Sequence, residues 1–210
     1  MDIISELNGK RILIWGYGRE GKATEHFLQR CVKPASVDIF EGKKEEIDED
    51  DYDFIIKSPG IVMNEENPKY TSETELFLQQ FRDQVIGITG TKGKSTTSAM
   101  LYTVLKACSS RPVLLLGNIG QPCLDYFEEV TEDTIIVYEM SCHQLAHTNV
   151  SPHIAIFLNL YEEHLDYYGT VEKYFEAKSH IAAYQKSGDY FFVGENVPQI
   201  DTKADRKSTR

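Results

Sequence analysis

Short apolar runs alternate with longer stretches of helical composition along most of the 210 residues of the chain. The runs are rich in branched aliphatic residues and are bounded by turn-forming residues, which is typical of buried strands. Buried strands that alternate with helices favour an α/β fold with parallel sheets. The predicted strands are Arg11–Trp15, Ser36–Phe40, Phe54–Lys57, Val85–Thr89, Val113–Leu116, Thr134–Tyr138, His153–Leu158 and Tyr190–Val193. The predicted helices are Lys22–Arg30, Ser95–Ala107 and Tyr174–Gln185.

The order of these elements indicates two domains. One strand–helix series ends and another begins at Phe81–Gln84, so we expect a first domain over 1–83 and a second over 84–200. Residues 201–210 contain no apolar residue larger than alanine. Such a segment cannot bury a face, and we expect a disordered tail there. The acidic segment Glu41–Asp53 is predicted to be an exposed loop or sheet edge.

Composition narrows the class of protein. Hydrophobic residues make up 41% of the chain, which suits packed cores, and the formal net charge is -11. An acidic chain without a basic cluster is a poor binder of nucleic acid backbones. No apolar run reaches the roughly 20 residues of a membrane-spanning helix, and the N-terminus lacks the layout of a secretory signal. The four cysteines form no C-x-x-C pair, so we expect a soluble protein of a reducing compartment.

A glycine-rich loop, GITGTKGKS at 87–95, lies between a predicted strand and a predicted helix. Glycines let backbone N–H groups converge on phosphate oxygens, and the start of a helix adds a positive field. Lys94 would neutralise phosphate charge and the Ser95 hydroxyl would bind Mg²⁺. The loop is a variant, because the common P-loop pattern has glycine where Ile88 stands. The predicted phosphate-binding residues are Gly90, Thr91, Lys92, Gly93, Lys94, Ser95 and Thr96.

A second glycine pattern follows the first strand. Gly16, Gly18 and Gly21 have the spacing of a dinucleotide-binding turn. Asp38 and Glu41 follow about 20 residues later, where an acid binds the ribose in NAD enzymes. By spacing alone, an NAD-dependent dehydrogenase remains open.

Glu139 is predicted to stand at the carboxyl end of a buried strand, where ligand-binding groups gather in parallel sheets. An acid near a phosphate loop holds Mg²⁺ directly or through water. His143 and His147 have i, i+4 spacing, but the H-E-x-x-H pattern of a zinc protease is absent. We interpret these two histidines as structural or surface residues.

The loop at 87–95 resembles the ATP loop of the Mur ligases, ATP-dependent enzymes that form amide bonds in peptidoglycan synthesis. Further segments resemble, in the same order, those of the family members that join D-glutamate to UDP-N-acetylmuramoyl-L-alanine. The resemblance covers nearly the whole chain to about residue 195. The segments are Lys10–Gly21, Ser58–Ile61, Glu73–Phe77, Gly117–Gly120, Glu139–Leu145, Asn159–Gly169 and Ala177–Ile181.

The resemblance implies a fold and a reaction. The fold would be a Rossmann-like parallel-sheet N-terminal domain that binds UDP, followed by an incomplete P-loop α/β ATPase domain. ATP with Mg²⁺ would phosphorylate the L-alanyl carboxylate, and the D-glutamate amine would attack the acyl phosphate, in the bacterial cytoplasm. The family's C-terminal amino-acid-binding domain would be absent, so we expect the chain alone to be an inactive or incomplete fragment. Alternatives are a Mur-type ligase for UDP-N-acetylmuramate or a folate, and a non-catalytic nucleotide- or UDP-sugar-binding module.

The resemblance also implies roles for single residues. Lys178 would be carbamylated by CO₂ and would then bind Mg²⁺ beside His164 and Glu139. Cys142 and His143 stand where relatives commonly have other residues. The implied catalytic residues are Lys94, Glu139, His164 and Lys178, and the implied metal ligands are Ser95, Glu139, His164 and carbamylated Lys178. The implied substrate-binding residues are Gly16, Tyr17, Gly18, Arg19, Glu20, Phe40, Glu41, Ser58, Pro59, Gly60, Asn118, Ser141 and Gln144.

Overall fold

A computed structural model describes residues 2–61 and 67–208. The chain forms two compact units, one of Met1–Gln80 with Pro122–Glu129, the other of Phe81–Gln121 with Val130–Arg210. The change at Gln80 lies close to the predicted boundary, whereas the return of Pro122–Glu129 to the first unit was not predicted. Within the described ranges, no helix combines the length and the apolar character needed to cross a membrane.

The first unit is built on a parallel sheet with strand order β2-β1-β3-β4. Ile12 and Ile14 on one face of β1 are fully buried, and Leu13 and Trp15 on the other face pack with Ile55. This alternation explains why the strand is apolar throughout, since both faces of a parallel sheet are covered. The elements are α1 (Ile3–Leu7), β1 (Arg11–Trp15), α2 (Arg19–Cys31), β2 (Ser36–Phe40), β3 (Phe54–Lys57), β4 (Tyr70–Thr71) and α3 (Glu73–Phe81), with 3₁₀ turns at Lys44–Glu46, Glu49–Asp51, Arg82–Gln84 and Leu124–Glu129.

The second unit contains a parallel sheet with strand order β10-β9-β8-β5-β7-β6. Strand β5 lies between β7 and β8. Of the strands that follow it in the chain, β6 and β7 lie on one side of β5, and β8, β9 and β10 lie on the other. Ligands in open α/β sheets bind at the carboxyl ends of the strands at such a switch point. The elements are β5 (Val85–Thr89), α4 (Lys94–Cys108), β6 (Val113–Gly117), β7 (Ile135–Glu139), α5 (Cys142–Leu145), β8 (Ile154–Phe157), α6 (Leu165–Tyr168), α7 (Val171–Ala183), β9 (Tyr190–Val193) and β10 (Asp205–Ser208).

The end of the chain differs from the prediction. A disordered tail was expected over 201–210, but Asp205–Ser208 forms β10, which pairs in parallel with β9. The strand lies at the edge of the sheet, and Asp205, Arg206 and Lys207 are exposed. An edge strand is held by backbone hydrogen bonds and tolerates charged side chains, so it gives no apolar signal in the sequence.

Candidate active site

The phosphate loop connects β5 to α4, and Gly93 lies in the left-handed region with φ of 83°. The first bond of α4 runs from the Thr97 N–H to the Gly93 carbonyl at 2.9 Å. The N–H groups of Lys94, Ser95 and Thr96 therefore have no partner inside the helix. No described residue accepts a hydrogen bond from them either. This helix start can donate several hydrogen bonds to an anion.

The opposite side of the loop is held by the segment after β8. The N–H of Thr91 donates to the Asn159 carbonyl at 3.0 Å, and the N–H of Lys92 donates to Asn159 Oδ1 at 2.9 Å. The Thr91 hydroxyl accepts hydrogen bonds from Tyr161 N at 2.9 Å and from the Tyr174 hydroxyl at 3.3 Å. Thr91 and Lys92, predicted as phosphate ligands, thus use their N–H groups to shape the loop. Asn159 was not predicted as a site residue. Its position directly after the predicted strand His153–Leu158 is the sequence signal that could have indicated it.

The two lysines of the loop have different partners. Lys94 Nζ donates to the carbonyls of Gly90 and Thr91 at 2.9 and 3.1 Å, so its charge lies against the loop itself. Lys92 Nζ donates to Glu163 Oε1 at 2.7 Å. This hydrogen bond is the main reason why the pKa of Glu163 lies below its ordinary value. Lys94, unlike Lys92, forms no ion pair with a described carboxylate, and its assignment to phosphate stays a prediction.

Glu139 ends β7 and is completely buried. Its Oε1 accepts a hydrogen bond from Asn118 Nδ2 at 3.0 Å, while its Oε2 has no hydrogen-bond partner among the described residues. A buried carboxylate oxygen without a partner is costly, and a cation would offset that cost. Mg²⁺ prefers oxygen ligands of this kind, so the donor set fits it. Asn118, predicted to contact substrate, here positions Glu139.

Lys178 on α7 is 1% exposed and donates hydrogen bonds to the Gly90 carbonyl at 3.0 Å and to Thr89 Oγ1 at 3.4 Å. Its ammonium also lies 4.9 Å from the centre of the Tyr174 ring. Burial lowers the pKa of Lys178 to about 8. About a tenth of the amine is therefore neutral at pH 7, and the neutral amine is the form that can react with CO₂. Lys178 and Lys94 donate to the same Gly90 carbonyl.

The remaining predicted residues of this unit have mixed surroundings. Ser95 is exposed in the first turn of α4. His164 has a left-handed backbone with φ of 55°. It is exposed, unlike the buried Glu139 and Lys178, and its ring centroid lies 5.8 Å from that of Tyr174. Ser141 and Gln144 form a capping box at the start of α5, in which each side chain accepts from the other residue's N–H, at 3.2 and 2.9 Å. Their assignment to substrate stays a prediction.

In the first unit, the glycine pattern shapes the turn after β1. A Cβ at Gly16 would lie 2.6 Å from Ser58 Oγ, and one at Gly21 would lie 2.2 Å from the Gly16 carbonyl oxygen. The Ser58 hydroxyl donates to that same oxygen at 2.9 Å. Gly18, by contrast, is exposed and has open space around it. Gly18 at the start of α2 can therefore be approached by a ligand. Phe40 is the last residue of β2 and Glu41 follows it, while Pro59 and Gly60 come shortly after β3.

Two predicted ligands of this unit, Tyr17 and Glu20, interact with other protein residues, and their assignment to substrate stays a prediction. The Tyr17 hydroxyl donates to Glu25 on α2. Glu20 lines a small cavity with Lys57 and Glu73. Burial and the charge of Glu20 raise the pKa of Glu73 well above its ordinary value, and burial lowers the pKa of Lys57 to about 8. Glu20 therefore belongs to a buried charged cluster, whereas Arg19 is exposed.

The position of Asp38 bears on the dehydrogenase alternative. Asp38 is in the middle of β2, opposite Leu13, rather than at the strand end. It faces Tyr52. Burial is the main cause that raises the pKa of Tyr52, and the charge of Asp38 raises this pKa further. Of the two acids considered for a ribose, only Glu41 lies beyond the strand.

Comparison with known proteins gives one matching family model and relatives of known name. Residues 88–210 match the family model of the Mur ligase middle domain. The UDP-N-acetylmuramoylalanine--D-glutamate ligase of Clostridium kluyveri is 35% identical over 177 residues, covering 80% of this chain and 38% of the relative. The Oenococcus oeni enzyme of the same name is 30% identical over 212 residues, covering 92% and 48%. The chain thus spans less than half the length of these two relatives.

A solved structure supports the fold. The UDP-N-acetylmuramate:L-alanyl-gamma-D-glutamyl-meso-diaminopimelate ligase from Neisseria meningitides has a TM-score of 0.57 at 16% identity, covering 95% of this chain and 77% of that one. At this identity the likeness shows the architecture only, and it agrees with two parallel α/β units. Because the family model covers more than half of the sequence, the chain belongs to the Mur ligase family.

Proposed function

We propose that this chain is the UDP-substrate- and ATP-binding part of a ligase that adds D-glutamate to UDP-N-acetylmuramoyl-L-alanine in peptidoglycan synthesis. The names of the relatives support the substrates. The observation that carries the proposal is the buried Glu139 carboxylate, whose Oε2 has no hydrogen-bond partner among the described residues. It ends a strand directly beside the phosphate loop in the sheet. We place this function in the bacterial cytoplasm, where the substrate would be made.

The residues of the second unit divide the work between phosphate and metal. The first N–H groups of α4 would receive the phosphates of ATP, and Lys94 would neutralise their charge. Ser95, Glu139, His164 and carbamylated Lys178 would hold Mg²⁺. Bound Mg²⁺ supplies charge neutralisation where a phosphate and a carboxylate must approach each other. Asn118 keeps the Glu139 carboxylate in place through the 3.0 Å hydrogen bond.

The first unit would bind the UDP part of the substrate. The start of α2 and the exposed Gly18 suit a diphosphate, for the same reason that dinucleotides bind at such turns. Phe40 ends β2, Glu41 follows it, and Ser58 follows β3. Arg19 is exposed at the first position of α2 and would pair with phosphate charge.

The test is calorimetric titration of the purified chain with UDP-N-acetylmuramoyl-L-alanine, with UDP-N-acetylmuramate and NADH as comparison ligands. We expect preferential binding of the alanyl compound and no binding of NADH. Preference for UDP-N-acetylmuramate would instead indicate a different Mur ligase, and no UDP-sugar binding by the folded chain would contradict the proposal.

A second titration tests the nucleotide site. We expect Mg²⁺-dependent binding of ATP that Lys94→Ala weakens strongly. Lys106→Ala is the matched control, because Lys106 is exposed near the other end of the same helix and its Nζ donates to the Tyr102 hydroxyl at 2.9 Å. Equal ATP affinity in both variants would exclude Lys94 from phosphate binding.

A further inference from the structure

Three residues near the phosphate loop form a cluster that the proposed reaction does not use as a group. Cys142, His143 and His164 each offer one ligand atom, and these atoms all lie within 4.8 Å of one another. Cys142 is 2% exposed, His143 is partly buried and His164 is exposed, so the cluster is open on one side. In the sequence, His143 stands at i, i+4 spacing from His147. The fold instead brings His143 close to His164, which comes from a different segment of the chain.

Local structure holds the cluster together before any ligand arrives. The Ser141–Gln144 capping box fixes the backbone that carries Cys142 and His143. The left-handed backbone of His164 starts α6 and turns this residue toward the cluster, so that its ring lies 5.4 Å from that of His143. A site whose ligands are already placed loses less entropy on binding.

The ring of His143 is held by tyrosine side chains, one of which places an oxygen beside a ring nitrogen. Its ring is nearly parallel to that of Tyr168, with an interplanar angle of 11° and ring centroids 5.6 Å apart. It packs edge to face with Tyr167, with ring centroids 4.3 Å apart. His143 Nδ1 lies 3.3 Å from the Tyr168 hydroxyl. Metal-binding histidines commonly donate one ring N–H to an oxygen, which leaves the other nitrogen as the ligand. Donation from Nδ1 to Tyr168 would assign Nε2 of His143 to the metal.

The chemistry of the three donors selects the ion. A thiolate with two imidazoles suits zinc and other thiophilic transition metals, whereas Mg²⁺ requires oxygen ligands. Three protein ligands with one open position is a common zinc arrangement, and water takes the fourth place. We propose that Cys142, His143 and His164 bind one Zn²⁺ ion.

This site has a consequence that rests on the proposed function. His164 is also assigned to Mg²⁺ in the nucleotide site, so a zinc ion that holds His164 withdraws it from that role. Zinc would thereby weaken Mg²⁺-dependent nucleotide binding. The zinc site itself does not depend on the ligase reaction, and it can be measured without ATP or UDP-sugar.

The experiment is a titration of the full chain, reduced and free of metal, with Co²⁺ as a spectroscopic substitute for Zn²⁺. We expect one equivalent of Co²⁺ to give the visible bands of tetrahedral cobalt and a near-ultraviolet thiolate-to-cobalt band. One equivalent of Zn²⁺ should remove both. Cys142→Ser should abolish the thiolate band, and each of Cys142→Ser and His143→Gln should weaken Zn²⁺ binding by at least about tenfold.

Two control variants keep the result specific. Cys108→Ser removes an exposed thiol on α4, and His26→Gln removes an exposed imidazole of the first unit; both should bind Co²⁺ and Zn²⁺ as the unchanged chain does. Far-ultraviolet circular dichroism establishes that each variant is folded, and His143→Gln provides a second test if the buried Cys142→Ser variant does not fold. The proposal is overturned if the folded chain binds no stoichiometric Co²⁺, or if the thiolate band persists in Cys142→Ser. Unchanged Zn²⁺ affinity in His143→Gln would also overturn it.

Discussion

Lys178 combines burial with hydrogen bonds that fix its amine beside the phosphate loop. It donates to the Gly90 carbonyl at 3.0 Å and is 1% exposed. Lys57 in the first unit is similarly buried, at 3% exposure, and donates to the Ile61 carbonyl at 3.1 Å. Burial lowers the pKa of both lysines to about 8. The low pKa alone therefore does not distinguish a reactive lysine from a structural one.

We predict that Lys178, and not Lys57, forms a carbamate. At constant dissolved ¹³CO₂, the carbamate signal in ¹³C NMR should grow as pH rises through about 8, because the neutral amine is the nucleophile and the pKa lies there. Lys178→Met should remove the signal, and Lys57→Met should leave it unchanged. A signal that survives Lys178→Met would assign the carbamate to another amine.

Glu139 gives a second prediction at the residue scale. Without metal, its buried carboxylate has one oxygen with no hydrogen-bond partner among the described residues. Replacing that carboxylate by a neutral amide removes a buried charge, so Glu139→Gln should raise the free energy of unfolding by about 1–3 kcal/mol. The same variant should lose the Mg²⁺ dependence of ATP binding. Urea unfolding measures the first effect and calorimetry the second.

The control for this prediction is Glu132→Gln, since Glu132 is exposed in the turn before β7. Its unfolding free energy should change by less than about 0.5 kcal/mol. A loss of stability in Glu139→Gln would mean that the carboxylate is satisfied in the metal-free protein.

At the scale of elements, strands were predicted well and short or polar elements were not. Strand Val85–Thr89 agrees with the prediction to the residue, because continuous apolar runs between turn residues report burial directly. Helix α3 was missed because its first turn buries the polar residues Glu73, Thr74 and Glu75, which conceals the apolar periodicity. Strand β10 was missed because its pairing depends on backbone groups.

The same contrast applies to the candidate site. The phosphate loop could be recognised from its glycines and lysine, because the chain itself places those residues side by side. The cluster of Cys142, His143 and His164 could not, because α5 and the start of α6 meet only in the folded chain. Asn118 was recognised, but its hydrogen bond to Glu139 depends on the pairing of β6 with β7.

The short helix α5 gives a prediction of its own. Its capping box satisfies N–H groups that would otherwise lack partners, so Ser141→Ala should lower the free energy of unfolding by about 1 kcal/mol. Because α5 carries Cys142 and His143, the same variant should also weaken Zn²⁺ binding. Ser179→Ala on α7 is the control, since Ser179 is partly buried in the interior of its helix and its hydroxyl donates to the Glu176 carbonyl of the same helix at 2.7 Å. Equal effects in both variants would contradict a capping role for Ser141.

At the scale of the whole molecule, the buried carboxylate of Asp189 contributes to stability in a way that depends on pH. Asp189 is 3% exposed; it pairs with Arg82 and lies 2.7 Å from His153 Nδ1. Burial alone would raise the pKa of Asp189, but hydrogen bonds from the Lys186 N–H, His153 and Arg82 outweigh burial and hold the pKa below 3.8. The ionised form therefore stabilises the fold above the ordinary carboxyl pKa, and this contribution disappears as pH falls through the lowered value.

We predict that Asp189→Asn lowers the free energy of unfolding at neutral pH by about 3 kcal/mol, because it removes the buried counter-charge of the largely buried Arg82 and leaves the exposed Asp83 as its ion-pair partner. The difference from the unchanged chain should shrink as the pH falls below 4. Asp83→Asn is the matched control: Asp83 also pairs with Arg82, at 2.7 Å, but its side chain is 81% exposed. Its effect should stay below about 1 kcal/mol. Urea unfolding across pH measures both, and a pH-independent difference for Asp189→Asn would contradict the linkage.

The return of Pro122–Glu129 to the first unit means that this unit is not encoded by one uninterrupted stretch. The Phe127 ring lies 4.7 Å from that of Phe27, and the Leu124 N–H donates to the buried Glu73 Oε1 at 2.9 Å. A graft of residues 1–80 onto a relative would therefore leave an aromatic ring uncovered and a buried acid without its donor. Exchange of the first unit between relatives therefore requires both segments to be replaced together, with three junctions, and a single recombination point would yield chimeras with a damaged core.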